Sequence, residues 1–214
     1  MNLLAINSSI SGDNLVSNKL VEHFVEGFET RFGKEGSVRR DVANNPPPHI
    51  DQTYVGATFT PVEQLSDEQV TILKLSDQLI SEAKNADIIV IGAAMYNFSI
   101  SSNLKAWVDH ILRAGHTFSY TENGPQGHLT GKKVYVLTAR GGDYSEGGFM
   151  HAMDHQEPYL RTALGMVGLT DVTFVHAQGL AMGDEVRGQA INGALATIDT
   201  EIAALPVRTD SVAV

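Results

Sequence analysis

The chain has 214 residues, of which 43% are hydrophobic and 19% charged, enough apolar material for a packed core and far from the composition of a disordered chain. Asp and Glu number 25 against 15 Lys and Arg, a net charge of −10, which argues against nucleic acid or an anionic membrane as the main partner. Cysteine is absent, which removes disulfides, thiolate nucleophiles and Cys-held metals or iron–sulfur clusters.

The length is read most simply as one domain, residues 1–214. The opening "MNLLAINSS" lacks a basic region and a long enough apolar run for a secretory signal, and no apolar run reaches the roughly 20 residues that span a bilayer. A soluble cytoplasmic protein is the expectation.

In chain order, "LLAIN" (3–7) reads as a short buried strand running into the loop "SSISGDN". From Ser17 the spacing becomes helical, with Leu20, Val21, Phe24, Val25 and Phe28 recurring on one face. "SVRRDV" (37–42) reads as a second strand. The prolines of "NNPPPHI" (44–50) remove three backbone donors, so an irregular excursion is expected as far as Pro61. Ser66-Asp67-Glu68-Gln69 has capping-box form and opens a helix that carries Val70, Leu73, Leu75, Leu79 and Ile80 and ends near Asn85.

"DIIVIGAA" (87–94) lacks polar alternation, as a strand covered on both faces should. A helix over 101–113 places Leu104, Trp107, Val108, Ile111 and Leu112 on one stripe. "HTFSYTENGPQGHLTG" (116–131) reads as a loop or hairpin from its Asn-Gly and Gly-Pro pairs. Strand 133–139, a glycine-rich loop, a helix near 156–167, strand 171–177 and a helix over 184–204 complete the order, and the tail after Pro206 is expected to fray. Alternating strands and helices imply a parallel sheet with helices on both faces. Five strands fit the flavodoxin-like doubly wound α/β fold.

In such sheets the ligand crevice lies beyond the carboxyl ends of the strands. Three loops leave those ends with unusual composition. "NSSISGDNLVSN" (7–18) brings the hydroxyls of Ser8, Ser9, Ser11 and Ser17, with Gly12, to a helix start, where free N–H groups hold a phosphate without Arg or Lys; the same residues also suit plain helix capping. "AAMYNFS" (93–99) sets Met95, Tyr96, Asn97 and Phe98 where loops usually carry small polar residues. Ala93 and Ala94 let a ligand near the backbone, and the Asn97 amide both donates and accepts, so these residues suit a flat ring with polar edges; a hydrophobic plug is the plainer alternative. "TARGGDYSEGG" (138–148) frees the backbone at Gly141 and Gly142, with Arg140 lining the pocket, or forms an ordinary surface loop.

Other motifs fail on spacing. "GHLTGKK" is not a P-loop, "GDYSEGG" is not a hydrolase elbow, and no G-x-G-x-x-G follows the first strand. His151, Asp154 and His155 could share a helical face, but no further metal ligand or supporting shell is visible, so they read as flanking or capping the helix that begins near Pro158.

Taken together, "SSISGDNLVSNKL", "AMYNFSISSNLKAWVDHILRAGHTFSYTENGPQG", "TARGG" and "MDHQEPYLRTALGMVG" resemble the FMN-dependent NADH azoreductases, also described as NADH:quinone oxidoreductases, in order and spacing over nearly the whole chain. The resemblance implies that Ser9 and Ser17, with the backbone of Leu15 and Val16, contact the FMN phosphate. It implies that Met95, Tyr96, Asn97 and Phe98 line the ring and ribityl chain, with Arg140, Gly141 and Gly142 along its far side. Ala94 and Ala139 stand at cofactor-loop positions where the family usually has Pro and Ser. The phosphate loop has Leu15-Val16-Ser17 where two serines often flank one residue, and Ala163 or Met166 stands where the interface helix often has Phe.

The implied chemistry is ping-pong. NADH or NADPH reduces the flavin, and a quinone or azo compound then takes the electrons over the same ring. No side chain acts as nucleophile; Asn97, by hydrogen bonding the ring, and Tyr120, with Tyr96, as proton sources are the catalytic candidates. The resemblance also implies a homodimer with FMN sites at the interface, "EPYLRTALG" on the dimer face and Tyr120 over the partner's site. Segment 44–65 is expected to shape the substrate pocket. An FMN electron carrier without its own NADH site, and a phosphate-binding module without flavin, remain as alternatives.

Overall fold

The structure, a computed structural model, describes residues 1–10 and 15–206. Ser11 and Gly12 of the first loop and the tail beyond Pro206 lie outside the described residues. Strands β1 (Leu3–Asn7), β2 (Ser37–Asp41), β3 (Ile88–Ala94), β6 (Lys133–Ala139) and β7 (Asp171–Ala177) form a parallel sheet in the order β2-β1-β3-β6-β7. A separate antiparallel hairpin joins β4 (Phe118–Thr121) to β5 (Gly124–Gly127). The helices are α1 (Val16–Phe32), α2 (Gln52–Phe59), α3 (Asp67–Asn85), α4 (Ser102–Ile111), α5 (Glu157–Met166) and α6 (Asp184–Ala204).

Successive residues of a strand point to opposite faces, and here both faces are covered. Leu3, Ala5, Ile88, Val90, Tyr135 and Leu137 pack with Leu20, Val21, Phe24, Val25 and Phe28 of α1 and Ile198 of α6. Leu4, Ile6, Ile89, Ile91, Val134 and Val136 pack on the other face with Leu79, Trp107, Ile111 and Leu164 of α3, α4 and α5. Each large side chain buried this way contributes roughly 1.5–3 kcal/mol. This double cover is why "IIVIGAA" shows no polar alternation.

The expected capping box is formed: the Gln69 N–H donates to Ser66 Oγ at 3.2 Å, and the Ser66 N–H donates to Gln69 Oε1 at 3.0 Å. The α3 stripe departs from expectation at Val70, which is 51% exposed; the buried face uses Leu73, Ser76, Leu79, Ile80 and Ala83. The larger correction is α2, which lies inside the segment expected to be irregular. Asp51 starts it by accepting the Tyr54 N–H at 2.8 Å, and Tyr54 and Ala57 bury against Leu73. Pro61 ends it, because the residue before a proline is pushed to extended backbone, as Thr60 is (ψ 129°). The proline run itself is irregular, and its Pro48 carbonyl is 3.0 Å from His110 Nε2.

Candidate functional site

The carboxyl ends of β1, β3 and β6 lie side by side, and the three singled-out loops leave from them. At the first, Ser8 is turned into the sheet: its hydroxyl donates to the Gly92 carbonyl at 2.6 Å, and its own carbonyl accepts from Ser101 Oγ at 3.1 Å. Ser9 and Ser17 are also buried. Helix α1 begins at Val16 after an extended Leu15, and among the described residues no side chain caps its first N–H groups. The Ser17 hydroxyl is buried and has no hydrogen-bond partner among the described residues. Helix α1 packs this close to β3 because residue 92 is glycine: a Cβ there would stand 2.7 Å from Val21 Cγ2 and 3.4 Å from the Ser17 carbonyl oxygen.

The second loop is a tight reversal. Tyr96 and Ser99 exchange backbone hydrogen bonds at 2.9 and 3.0 Å, which leaves Asn97 and Phe98 as the two corner residues. Both have positive φ, 47° and 73°. Asn tolerates this region; a bulky Phe does so at a cost of order 1 kcal/mol or more. The turn leaves Phe98 43% exposed and Asn97 exposed, beyond the end of a strand whose preceding residues are buried. The Tyr96 hydroxyl lies 3.3 Å from Ser9 Oγ and accepts the Ile10 N–H at 3.3 Å. A cleft of about 590 Å³ opens beside it, lined by Ile10, Tyr96, Asn97, Lys105 and Tyr159 among others. Burial pushes the Tyr159 phenol up to about 12.

The third loop runs beside the second. Ala94 pairs with Ala139 in register, and the Met95 N–H donates to the Ala139 carbonyl at 2.9 Å. Gly141 is exposed, and a Cβ there would meet only Ala181 at 3.6 Å; a Cβ at Gly142 would stand 2.6 Å from Met150 Sδ. Arg140 behaves differently from its neighbours. Its guanidinium is 2% exposed, donates from Nε to Gln156 Oε1 at 2.9 Å and pairs from Nη1 with Asp154 Oδ2 at 3.0 Å. Burial lowers its pKa, opposed by the Asp154 and Glu157 carboxylates. What the loop presents outward is therefore the Gly141–Gly142 backbone.

Ser9, Leu15, Val16, Ser17, Ala94, Met95, Tyr96, Asn97, Phe98, Ala139, Arg140, Gly141 and Gly142 thus lie at the carboxyl ends of β1, β3 and β6 and at the start of α1. Tyr120 does not join them in this chain: it stands on β4, 74% exposed, its ring against Phe118, and lines neither the first cleft nor a second of about 680 Å³ floored by Arg140. Asp154 caps α5, accepting the Gln156 and Glu157 N–H groups at 2.8 and 3.1 Å, while the His155 N–H donates to the Phe98 carbonyl at 3.0 Å. Among the described residues no cluster of three metal-ligating side chains occurs. Sequence reasoning missed Gln156, Ser101, Lys105 and Tyr159 as contributors. Only Ser101 carried a local signal, as the cap that accepts the Leu104 N–H.

Comparison with known proteins agrees with this architecture. A protein of Herminiimonas arsenicoxydans named FMN-dependent NADH:quinone oxidoreductase is 51% identical over 200 residues, 94% of this chain and 96% of that one. Its namesake in Azotobacter vinelandii is 47% identical over 88% of this chain and 93% of its own length. Among solved structures, an FMN-dependent NADH-azoreductase from Bacillus anthracis in complex with FMN superposes with a TM-score of 0.84 at 27% identity, covering 95% of this chain and 98% of that one. The description "flavodoxin-like fold" matches from residue 1 to residue 202, and the chain belongs to that family.

Proposed function

We propose that the protein is an FMN-dependent NADH oxidoreductase that reduces quinones and cleaves azo compounds. The observation that carries this reading is the conjunction of an uncapped helix start, at which the buried Ser17 hydroxyl lacks a partner, with a strained Asn97–Phe98 turn across the crevice. A phosphate answers the first and an aromatic ring the second. The residues therefore fit FMN. Ser9, Ser17 and the backbone of Leu15 and Val16 would hold its phosphate; Ala94, Met95, Tyr96, Asn97 and Phe98 would receive the ring and ribityl chain; Ala139, Arg140, Gly141 and Gly142 would close the far side. FMN supplies the redox chemistry: two electrons from NADH pass to a quinone with two protons to give a hydroquinone, and two such rounds split an azo bond into two amines.

The chain's own residues bind and orient. The α1 start offsets phosphate charge that a chain of net charge −10 would otherwise repel. Asn97 would offer its amide to the polar edge of the ring, and Phe98 would exclude water beside it. Buried Arg140 holds its loop through Asp154 and Gln156.

The reading extends to a homodimer with the FMN sites at the interface. Support comes from the groove of about 540 Å³ along α4 and α5, lined by Leu112, Tyr159, Ala163 and Met166, and from Tyr120, whose exposed ring would be covered by a second copy. A cytoplasmic compartment, where NADH is at hand, belongs to the same reading; among the described residues no helix is long and apolar enough to cross a membrane. The electron-carrier alternative is disfavoured because the similar proteins are named as NADH-dependent enzymes.

The test is the visible spectrum of the purified protein before and after excess NADH without oxygen. Flavin bands that bleach support the reading; bands that persist under both NADH and NADPH return the protein to the carrier class.

A further inference from the structure

The segment 154–157 touches both walls of the crevice. Gln156 is completely buried and uses its amide at both ends: Nε2 donates to the Ala93 carbonyl at 3.0 Å, and Oε1 accepts from Arg140 Nε at 2.9 Å. Both partners have fixed polarity, a carbonyl that only accepts and a guanidinium that only donates, so the orientation of the amide is determined. Ala93 lies two residues before Met95, and Arg140 directly precedes Gly141. One side chain therefore spans the ends of β3 and β6. The next contact is made by the preceding residue, whose N–H holds the Phe98 carbonyl of the strained turn at 3.0 Å. Asp154 fixes the segment from the other side, with one oxygen on Arg140 and the other on the N–H groups of residues 156 and 157.

Packing alone does not require an amide here. An apolar side chain of similar volume would fill the space but leave the Ala93 carbonyl and the Arg140 Nε–H without this partner, so the amide is retained for the two groups it joins. We infer that Gln156 is a positioning residue for the flavin site, an inference that rests on the FMN reading: together with the His155 N–H it sets the spacing between the Met95–Phe98 turn and the Arg140–Gly142 loop. It acts on cofactor affinity and potential through those two loops and does not touch the ring itself.

The experiment titrates FMN into the apoprotein by fluorescence quenching and measures the bound flavin's midpoint potential and the apoprotein Tm. The proteins are wild type, Gln156→Met, Gln156→Glu and Ile198→Ala, a buried α6 position that is part of none of the three loops. Gln156→Met keeps the volume and loses both bonds. It should weaken FMN binding about tenfold, ~1.4 kcal/mol, and shift the potential. Ile198→Ala should lower the Tm at least as far and leave affinity and potential at the wild-type values. Should Gln156→Met not fold, Gln156→Glu decides. Ionised, it sets a carboxylate against the Ala93 carbonyl; protonated, it regains a donor there. Its FMN affinity should therefore recover as pH falls, relative to wild type, which carries the same Arg140, Asp154, Glu157 and His176 around the position. Wild-type affinity and potential in Gln156→Met, or an equal loss in Ile198→Ala, overturns the positioning role. Wild type that does not quench FMN overturns the flavin reading itself.

Discussion

The Tyr96 hydroxyl stands 3.3 Å from the Ser9 hydroxyl, which ties the loop after β3 to the loop after β1. The same oxygen accepts the Ile10 N–H, so one phenol braces two of the three walls of the crevice. Tyr96→Phe keeps the ring and removes the brace, a loss on the order of 1 kcal/mol. FMN should bind about five-fold more weakly, while kcat at saturating FMN changes little, because the hydroxyl holds loops and not the reacting atoms. A large fall in kcat with unchanged FMN affinity would instead make Tyr96 a proton source.

The positive φ of Phe98 is a stability cost retained for a purpose. Gly accepts φ 73° freely, and a β-branched residue does so badly. Phe98→Gly should raise apoprotein stability by up to about 1 kcal/mol, and Phe98→Val should lower it by a similar amount. Thermal unfolding of the apoprotein reads both. Turnover with a quinone should fall in each, since both lose the ring. Equal Tm values in the two variants would show that the turn relaxes and stores no strain.

How much of this was legible beforehand divides along physical lines. The sheet was readable because β1, β3 and β6 are buried on both faces, which writes continuous apolar runs into the chain. The three loops were readable because Met95–Phe98 and Gly141–Gly142 break the ordinary chemistry of loops. Helix α2 was not: three prolines precede it, Gly56 and β-branched residues fill it, and its one signal is the lone cap Asp51. Nor was the inward turn of Arg140 readable, because its partners Asp154 and Gln156 are far along the chain and only tertiary packing brings them together. The role of Gln156 has no sequence signature at all; a buried glutamine reads like an exposed one until its neighbours are known.

Histidine burial makes stability depend on pH. His110 Nε2 faces the Pro48 carbonyl and must carry the proton, while Nδ1 is buried without a partner. Burial lowers the His110 pKa, and burial followed by the nearby Arg140 lowers that of His176. Each folded-state value lies below the unfolded value of about 6.5, so the unfolded chain binds more protons in the interval between them. Stability is then full above about 6.5 and declines as pH falls toward the folded values, by at most about 1.4 kcal/mol per pH unit for each histidine. His110→Gln retains a donor for Pro48 and does not titrate. Its Tm should fall less steeply than wild type between about pH 7 and pH 5. Parallel curves would show that His110 is protonated alike in both states.

The unpartnered Ser17 hydroxyl separates cofactor binding from folding most directly. A buried hydroxyl without a hydrogen bond costs roughly 1–3 kcal/mol, so removing it should not harm the empty protein. Ser17→Ala is expected to have an apoprotein Tm equal to wild type or slightly higher. On the FMN reading the same atom would donate to a phosphate oxygen, a charge-assisted bond whose loss should weaken FMN binding about tenfold. Riboflavin, which shares the ring and ribityl chain but has no phosphate, should bind wild type and Ser17→Ala equally. Competition by inorganic phosphate should likewise weaken in the variant. If riboflavin and FMN lose affinity together, Ser17 acts on the shape of the crevice as a whole, and the phosphate belongs elsewhere along the start of α1.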